Sequence, residues 1–102
     1  MTLVPNFDPI VHAPNRLQIC AMLATVEQVE FSAVRDMIGV SDSVLSKHVR
    51  QLEEAGYVAL SKVTSMSRQR TWLSLTRKGR RAFDAHVAAL EQLVSQARAA
   101  AE

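Results

Sequence analysis

Apolar residues recur along this chain with two periods, and the points where the period changes divide it into elements. Pro9 to Val11 suits a short first helix. Pro14 fits the first turn of the next, which runs to about Ala24 through Leu17, Ile19, Cys20 and Leu23 at helical spacing. Phe31 is read as a short strand and Ser32 as the N-cap of a helix to Ile38 that buries Val34, Met37 and Ile38, with Gly39 ending it. Val40 then enters the core, and Ser41 caps a helix reaching Ala55, with Leu45, Val49 and Leu52 on one side at i, i+4 and i+7. Gly56 suits the position just beyond it. From Tyr57 to Val63 the period falls to two, with Val58 and Leu60 on one face. A partner strand from about Arg70 to Leu75 turns Leu73 and Leu75 inward, and TSMSRQ between the strands is a polar loop. Thr76 caps a last helix carrying Phe83, Val87, Leu90, Val94 and Ala97 at alternating spacings of four and three.

This order predicts a mainly α fold with a small β-hairpin (α+β) in a single domain over residues 1–102. The short helix, turn and longer helix at about 31–56 form a helix-turn-helix, and the hairpin at 57–75 follows as a wing. Residues 76–101 are read as a dimerisation helix. Its seam, Phe83, Val87, Leu90, Val94 and Ala97, is too long for so small a body to cover: a helix of about 26 residues extends about 39 Å. A homodimer joined through these helices is the expectation.

Net charge is only +2, but it is unevenly placed. Residues 1–40 hold two Arg against four acids, residues 41–81 hold nine Lys and Arg against three acids, and residues 82–102 hold one Arg against three acids. Basic charge thus collects on the second helix of the pair, the wing and the turn after it, as an electrostatic footprint on phosphates requires. At 102 residues with 48% hydrophobic content and one Cys, the chain has the makeup of one compact domain without an internal disulfide. The start MTLVPNFDPIVH lacks the basic and apolar runs of a secretion signal, and no uncharged apolar stretch approaches the roughly 18 residues of a membrane span. A cytoplasmic protein is expected, with no membrane partner.

With Leu45, Val49 and Leu52 facing inward, Ser43, Ser46, Lys47 and Arg50 fall on the opposite side, near the helix end that enters a major groove in this motif. Lys47 or Arg50 can donate to guanine O6 and N7 or hold phosphates, and the two serines can reach base edges or backbone oxygens. Asp42 suits the helix dipole, yet it repels phosphate unless it accepts from a cytosine amine. Arg68 lies at the wing tip, where an Arg can enter a narrow minor groove. Arg70 meets backbone phosphate or pairs with Glu53 or Glu54. Lys62, Arg77 and Lys78 add general attraction.

Other chemistry is sparse. His12, His48 and His86 are far apart, without metal-ligand spacing, and read as surface or half-buried side chains; His48, between the core and DNA faces, can contact phosphate when protonated. Cys20 falls among core positions with no neighbour to favour its thiolate. No Gly-rich phosphate loop, nucleophile elbow or Ser/His/Asp set argues for an enzyme, and no cofactor or metal is expected.

Taken together, Asn15-Arg16-Leu17, Phe31-Ser32, the run LSKHVRQLEEAGYV from Leu45 to Val58, Arg70-Thr71-Trp72 and Leu75-Thr76-Arg77-Lys78-Gly79-Arg80 resemble the winged-helix transcriptional regulators of the MarR/ArsR-like superfamily. The likeness is to their short group with one winged helix and a C-terminal dimerisation helix, and it spans roughly residues 8–95. It implies a homodimeric DNA-binding regulator, usually a repressor, with recognition helices in successive major grooves and wings in the flanking minor grooves of double-stranded DNA. The family's reading positions fall on Ser43, Ser46, Lys47 and Arg50, and its wing position on Arg68. The chain lacks the extra helices of typical MarR members and the paired cysteines of metal-sensing ArsR members. A small-molecule effector would sit between the N-terminal segment and the last helix, walled by Phe7, Trp72 and Phe83. Two other uses of the same fold stay open: a protein-interaction module and a nucleoid-type binder of low sequence preference.

Overall fold

The computed structural model describes residues 6–101. Its elements run α1 (Pro9–His12), α2 (Arg16–Ala24), β1 (Val29–Glu30), α3 (Phe31–Ile38), α4 (Asp42–Glu54), β2 (Val58–Ser65), β3 (Arg68–Leu75) and α5 (Arg77–Ala101). The three strands form one antiparallel sheet in the order β1-β3-β2. Five helices and a winged hairpin are as the apolar pattern predicts.

One core joins them. Val11, Ile19, Cys20, Leu23, Val34, Leu45, Val49, Leu52, Val58 and Leu73 are each at most 3% exposed. The i, i+4, i+7 stripe of α4 is therefore the face it buries, against helices α1 and α2 and strand β2. The Ser41 side chain accepts from the Val44 amide at 3.2 Å and supplies the expected cap. Gly39, with φ of 78°, takes the left-handed conformation that turns the chain from α3 into α4, a conformation costly for a residue with a Cβ.

Several expectations need correction. Helix α2 begins at Arg16, and Pro14 lies in the turn before it, because Asn15 is left-handed (φ of 70°) and breaks the helical path. Phe31 is the first residue of α3; the strand is Val29–Glu30, held by pairing with Leu73 and Trp72, and Glu30 stands in the N-cap position assigned to Ser32. Met37 is 74% exposed. At about 100° per residue, Phe31, Val34 and Ile38 share one side of α3 and Met37 lies about 90° from its centre.

The wing differs most. The ladder continues through Thr64↔Gln69 and Ser65↔Arg68, so the loop is only Met66 and Ser67, with φ of 51° and 65°. Left-handed residues at both central positions mark a tight two-residue hairpin, which fits the twist of the strands. The usual Asn-Gly signal is absent, and the sequence therefore reads as a longer loop.

Helix α5 has two halves. Thr76 caps it, its hydroxyl accepting from the Gly79 amide at 2.9 Å and donating to the Gly56 carbonyl at 2.6 Å. Ala82 and Phe83 pack against the core and His86 is buried, whereas beyond Leu90 most of the helix is exposed.

Candidate nucleic-acid interface

Spacing on α4 decides what its open side carries. Ser43, Ser46, Lys47 and Arg50 stand at i, i+3, i+4 and i+7, and all four are exposed, opposite the buried Leu45, Val49 and Leu52. The structure thus brings the four together on one accessible stripe. Between this stripe and the wing lies an open groove of about 500 Å³, lined by Asp42, Ser46, Arg50 and Glu53 of α4 and by Leu60, Lys62 and Thr71 of the hairpin, so that it carries two acids as well as two bases. Lys62, on β2, thus shares a groove with Arg50 of α4.

Asp42 opens α4 and does not stand as a free charge beside the stripe. Its carboxylate accepts from the Arg35 guanidinium at 2.8 Å, and Arg35 also donates to Asp36 at 2.9 Å. The hydrogen bonds to these two acids push the Arg35 pKa further up. Arg35 therefore ties α3 to the start of α4 and reduces the repulsion that Asp42 would exert on phosphate. Sequence reasoning missed it because the pair spans the turn, where neither helix period relates the two residues.

Arg68 opens β3 immediately beyond the turn and is exposed. Arg70 donates to Glu30 of β1 at 3.4 Å, in place of the expected Glu53 or Glu54. The physical reason is alternation: Arg70 shares a face of β3 with Trp72, whose strand partner on that edge is Glu30. Arg35, Arg68 and Arg70 line a second open groove, between the first turns of α3 and the wing, and it shares Phe31 and Thr71 with the first.

His48 is half-buried on α4, with Nε2 3.4 Å from the Asn15 amide and Nδ1 3.4 Å from the Arg16 guanidinium. Burial first, and the Arg16 charge second, lower its pKa below 6.5, which disfavours a phosphate contact through the protonated ring. Arg16 in turn donates to the Ile10 carbonyl at 2.6 Å, so this group anchors α4 to α1.

His12 is exposed and His48 half-buried, as their separation suggests, but His86 is not. His86 is 1% exposed, and its Nε2 lies 3.0 Å from Nδ1 of His12. Nδ1 of His86 accepts from the Asp8 amide at 3.2 Å, so its proton sits on Nε2 and is donated to His12. Burial first, then His12, lower the His86 pKa, against an opposing pull from Asp8. The Asp8 carboxylate caps α1 through the Ile10 and Val11 amides and takes the Tyr57 hydroxyl at 2.5 Å. That bond, with burial, pushes the Tyr57 pKa up to about 12. Phe7 stacks on His12 with ring centroids 4.5 Å apart, and it lines a shallow hollow with Asp8, Tyr57 and His86. Neither Trp72 nor Phe83 is among the residues that line this hollow.

Of the residues assigned to the seam, Phe83 packs against the core. Val87 and Leu90 are half-buried, and Val94 and Ala97 are exposed. Val87, Leu90 and Val94 line one shallow face of α5 together with Glu91, Ser95 and Arg98. Among the described residues no helix is long and apolar enough to cross a membrane.

Residues 15–94 match the family described as winged helix DNA-binding domain. An uncharacterised protein of Methanocaldococcus jannaschii is 33% identical over 78 residues, covering 76% of this chain and 85% of that protein. Among solved structures, a transcriptional regulator homologue from Pyrococcus horikoshii superposes with a TM-score of 0.80 at 26% identity, over 85% of this chain and 86% of that one. The zinc-responsive MarR family member ZitR of Lactococcus lactis shares the fold, with a TM-score of 0.66 at 20% identity over 96% and 67% of the two chains. The chain therefore belongs to the winged helix DNA-binding domain family, with the fold of MarR-like transcription regulators.

Proposed function

We propose that the protein regulates transcription as a homodimer, most simply as a repressor that occludes polymerase on a pseudo-palindromic operator. The observation that carries this reading is the common exposure of Ser43, Ser46, Lys47 and Arg50 on α4, beside a groove that Lys62 also lines. In this reading α4 lies in the major groove, Arg50 and Lys47 donate to guanine edges or phosphates, and Arg68 reaches the flanking minor groove. The outer half of α5 supplies the seam to a second copy, which spaces the two recognition helices about one helical turn (~34 Å) apart.

Selection of bound sequences from a random duplex pool at two salt concentrations tests this. An enriched inverted repeat with half-sites one turn apart is expected. A dimer neutralising about eight phosphates gives a slope of log affinity against log salt near −7, by about −0.9 per phosphate. Arg50→Ala is expected to relax preference at one or two base pairs per half-site, costing about 1–3 kcal/mol of discrimination, whereas Arg68→Ala changes preference mainly in A·T-rich flanks. Unchanged affinity and selectivity in both variants would place the DNA face elsewhere. Salt-sensitive binding without a motif would mean a nucleoid-type role, and absence of binding at low salt a protein-interaction module.

A further inference from the structure

The tip of the wing carries a residue that the fold gives no reason to choose. Met66 and Ser67 are the whole turn between β2 and β3, and both are left-handed. Asn, Asp and Gly suit such positions, because a short polar side chain or none relieves the crowding of the Cβ against the backbone. An unbranched apolar side chain does not. Met66 is also 94% exposed, the most exposed large apolar side chain among the described residues. The whole outer wing, residues 61–70, is exposed, so nothing in the domain shelters this thioether.

The turn thus holds an apolar group in a strained backbone and in water, at the foremost point of a hairpin that projects from the body. Two residues further on, Arg68 pairs across the ladder with Ser65, and Arg70 and Lys62 lie behind it. An apolar tip backed by arginine matches the two demands of a minor groove: a cation for its negative potential, and an uncharged, flexible side chain able to slide between base pairs. Methionine is among the residues that act as such wedges, and pyrimidine–purine steps open most readily to them.

We infer that Met66 is a minor-groove wedge, which inserts at a flexible base step beneath each wing and partly unstacks it while Arg68 holds the groove. The inference rests on the DNA-binding reading above and adds a specificity-determining residue to it. DNA bound by the protein is accordingly bent, and selectivity at the flanks follows step flexibility more than base identity.

The test uses the full-length protein and the duplex enriched in the selection, carrying 2-aminopurine at successive flanking steps and a fluorophore pair at its ends. Wild-type protein is expected to raise 2-aminopurine fluorescence at one flanking step and to shorten the end-to-end distance. Met66→Asn is expected to melt at a higher temperature than wild type, since Asn tolerates the turn, yet to bind roughly tenfold more weakly, without the fluorescence rise and with less bending. Met66→Leu is expected to keep the fluorescence rise. If Met66→Asn binds, unstacks and bends as wild type does, or if the wild type binds without unstacking any flanking step, the wedge is wrong while the DNA reading stands. If the wild type binds no duplex at low salt, the DNA reading itself fails, and the wedge with it.

Discussion

Gly79 stands in the first turn of α5 with the backbone of Tyr57 pressed against it. A Cβ built there would overlap the Tyr57 carbonyl and crowd the Leu75 side chain. The carbonyl belongs to the backbone and already accepts from the Thr76 amide at 3.0 Å, so it cannot step aside cheaply. Gly79→Ala is therefore expected to cost about 2 kcal/mol or more, against the small gain that alanine usually brings to a helix. Urea unfolding would show the loss as a lower midpoint with little change in slope, and an unchanged or raised midpoint would refute the close approach. The same site explains a residue that the sequence offers only as part of a family-like run: a glycine at the third position of a good helix has no periodic signature, and only the neighbour it admits gives it meaning.

Among elements, the one-turn helix α1 is small but joined to much of the domain. Asp8 ties it to Tyr57, His12 and the Asp8 amide tie it to α5, and the carbonyls of Pro9 and Ile10 receive Arg16, which neighbours His48 on α4. The His12–His86 bond and the Asp8–His86 bond are both satisfied only when the two imidazoles are neutral. A proton on Nδ1 of His86 would set two donors face to face. The folded-state pKa of His86 is depressed below 6.5, so its contribution to stability is complete above that value and is lost as pH falls below it; His48 is depressed too and acts in the same direction. Chemical denaturation is expected to show lower stability at pH 5.5 than at pH 7.5, with part of the difference removed in His86→Phe. A flat profile over that range would contradict the proton assignment. The Asp8 carboxyl is held below 3.8 because the Tyr57 hydroxyl and the two amides outweigh the opposing effect of burial, so a further decline sets in at more acid pH. None of this node was legible in the chain, because a contact across 74 residues leaves no periodicity to detect. Helix α4 was legible for the opposite reason: its Ser cap, apolar stripe and polar stripe are all local, and all agree with one another. The wing lay between these cases, its alternation visible and its tight turn hidden by the absence of glycine.

At the scale of the molecule, extents of 59 × 25 × 21 Å describe a compact body from which the distal part of α5 projects. The 25-residue helix is about 37 Å long, and its first ten residues or so are what the body holds. Folding of the body and the proposed pairing of the free half with a second copy are thus separable. Val94→Glu, which puts a charge on the open face where Val94 is 46% exposed, is expected to leave the melting of the body nearly unchanged while shifting sedimentation from dimer to monomer. Persistence of the dimer in this variant would move the interface off α5. Loss of the seam is also expected to weaken operator binding far more than the wing substitutions do, because each half-site would then be read by a separate molecule.

Cys20 lies on α2 in the middle of the core, fully buried, and burial pushes its thiol up to about pKa 11. Being the chain's single cysteine, it makes every reaction with a thiol reagent attributable to one atom, and that atom is reachable only when α2 lifts from its neighbours. The protein therefore contains its own clock for core opening: the labelling rate, followed with and without operator DNA, reads how far engagement of the outer face of α4 is felt in the core that its inner face shares with α2.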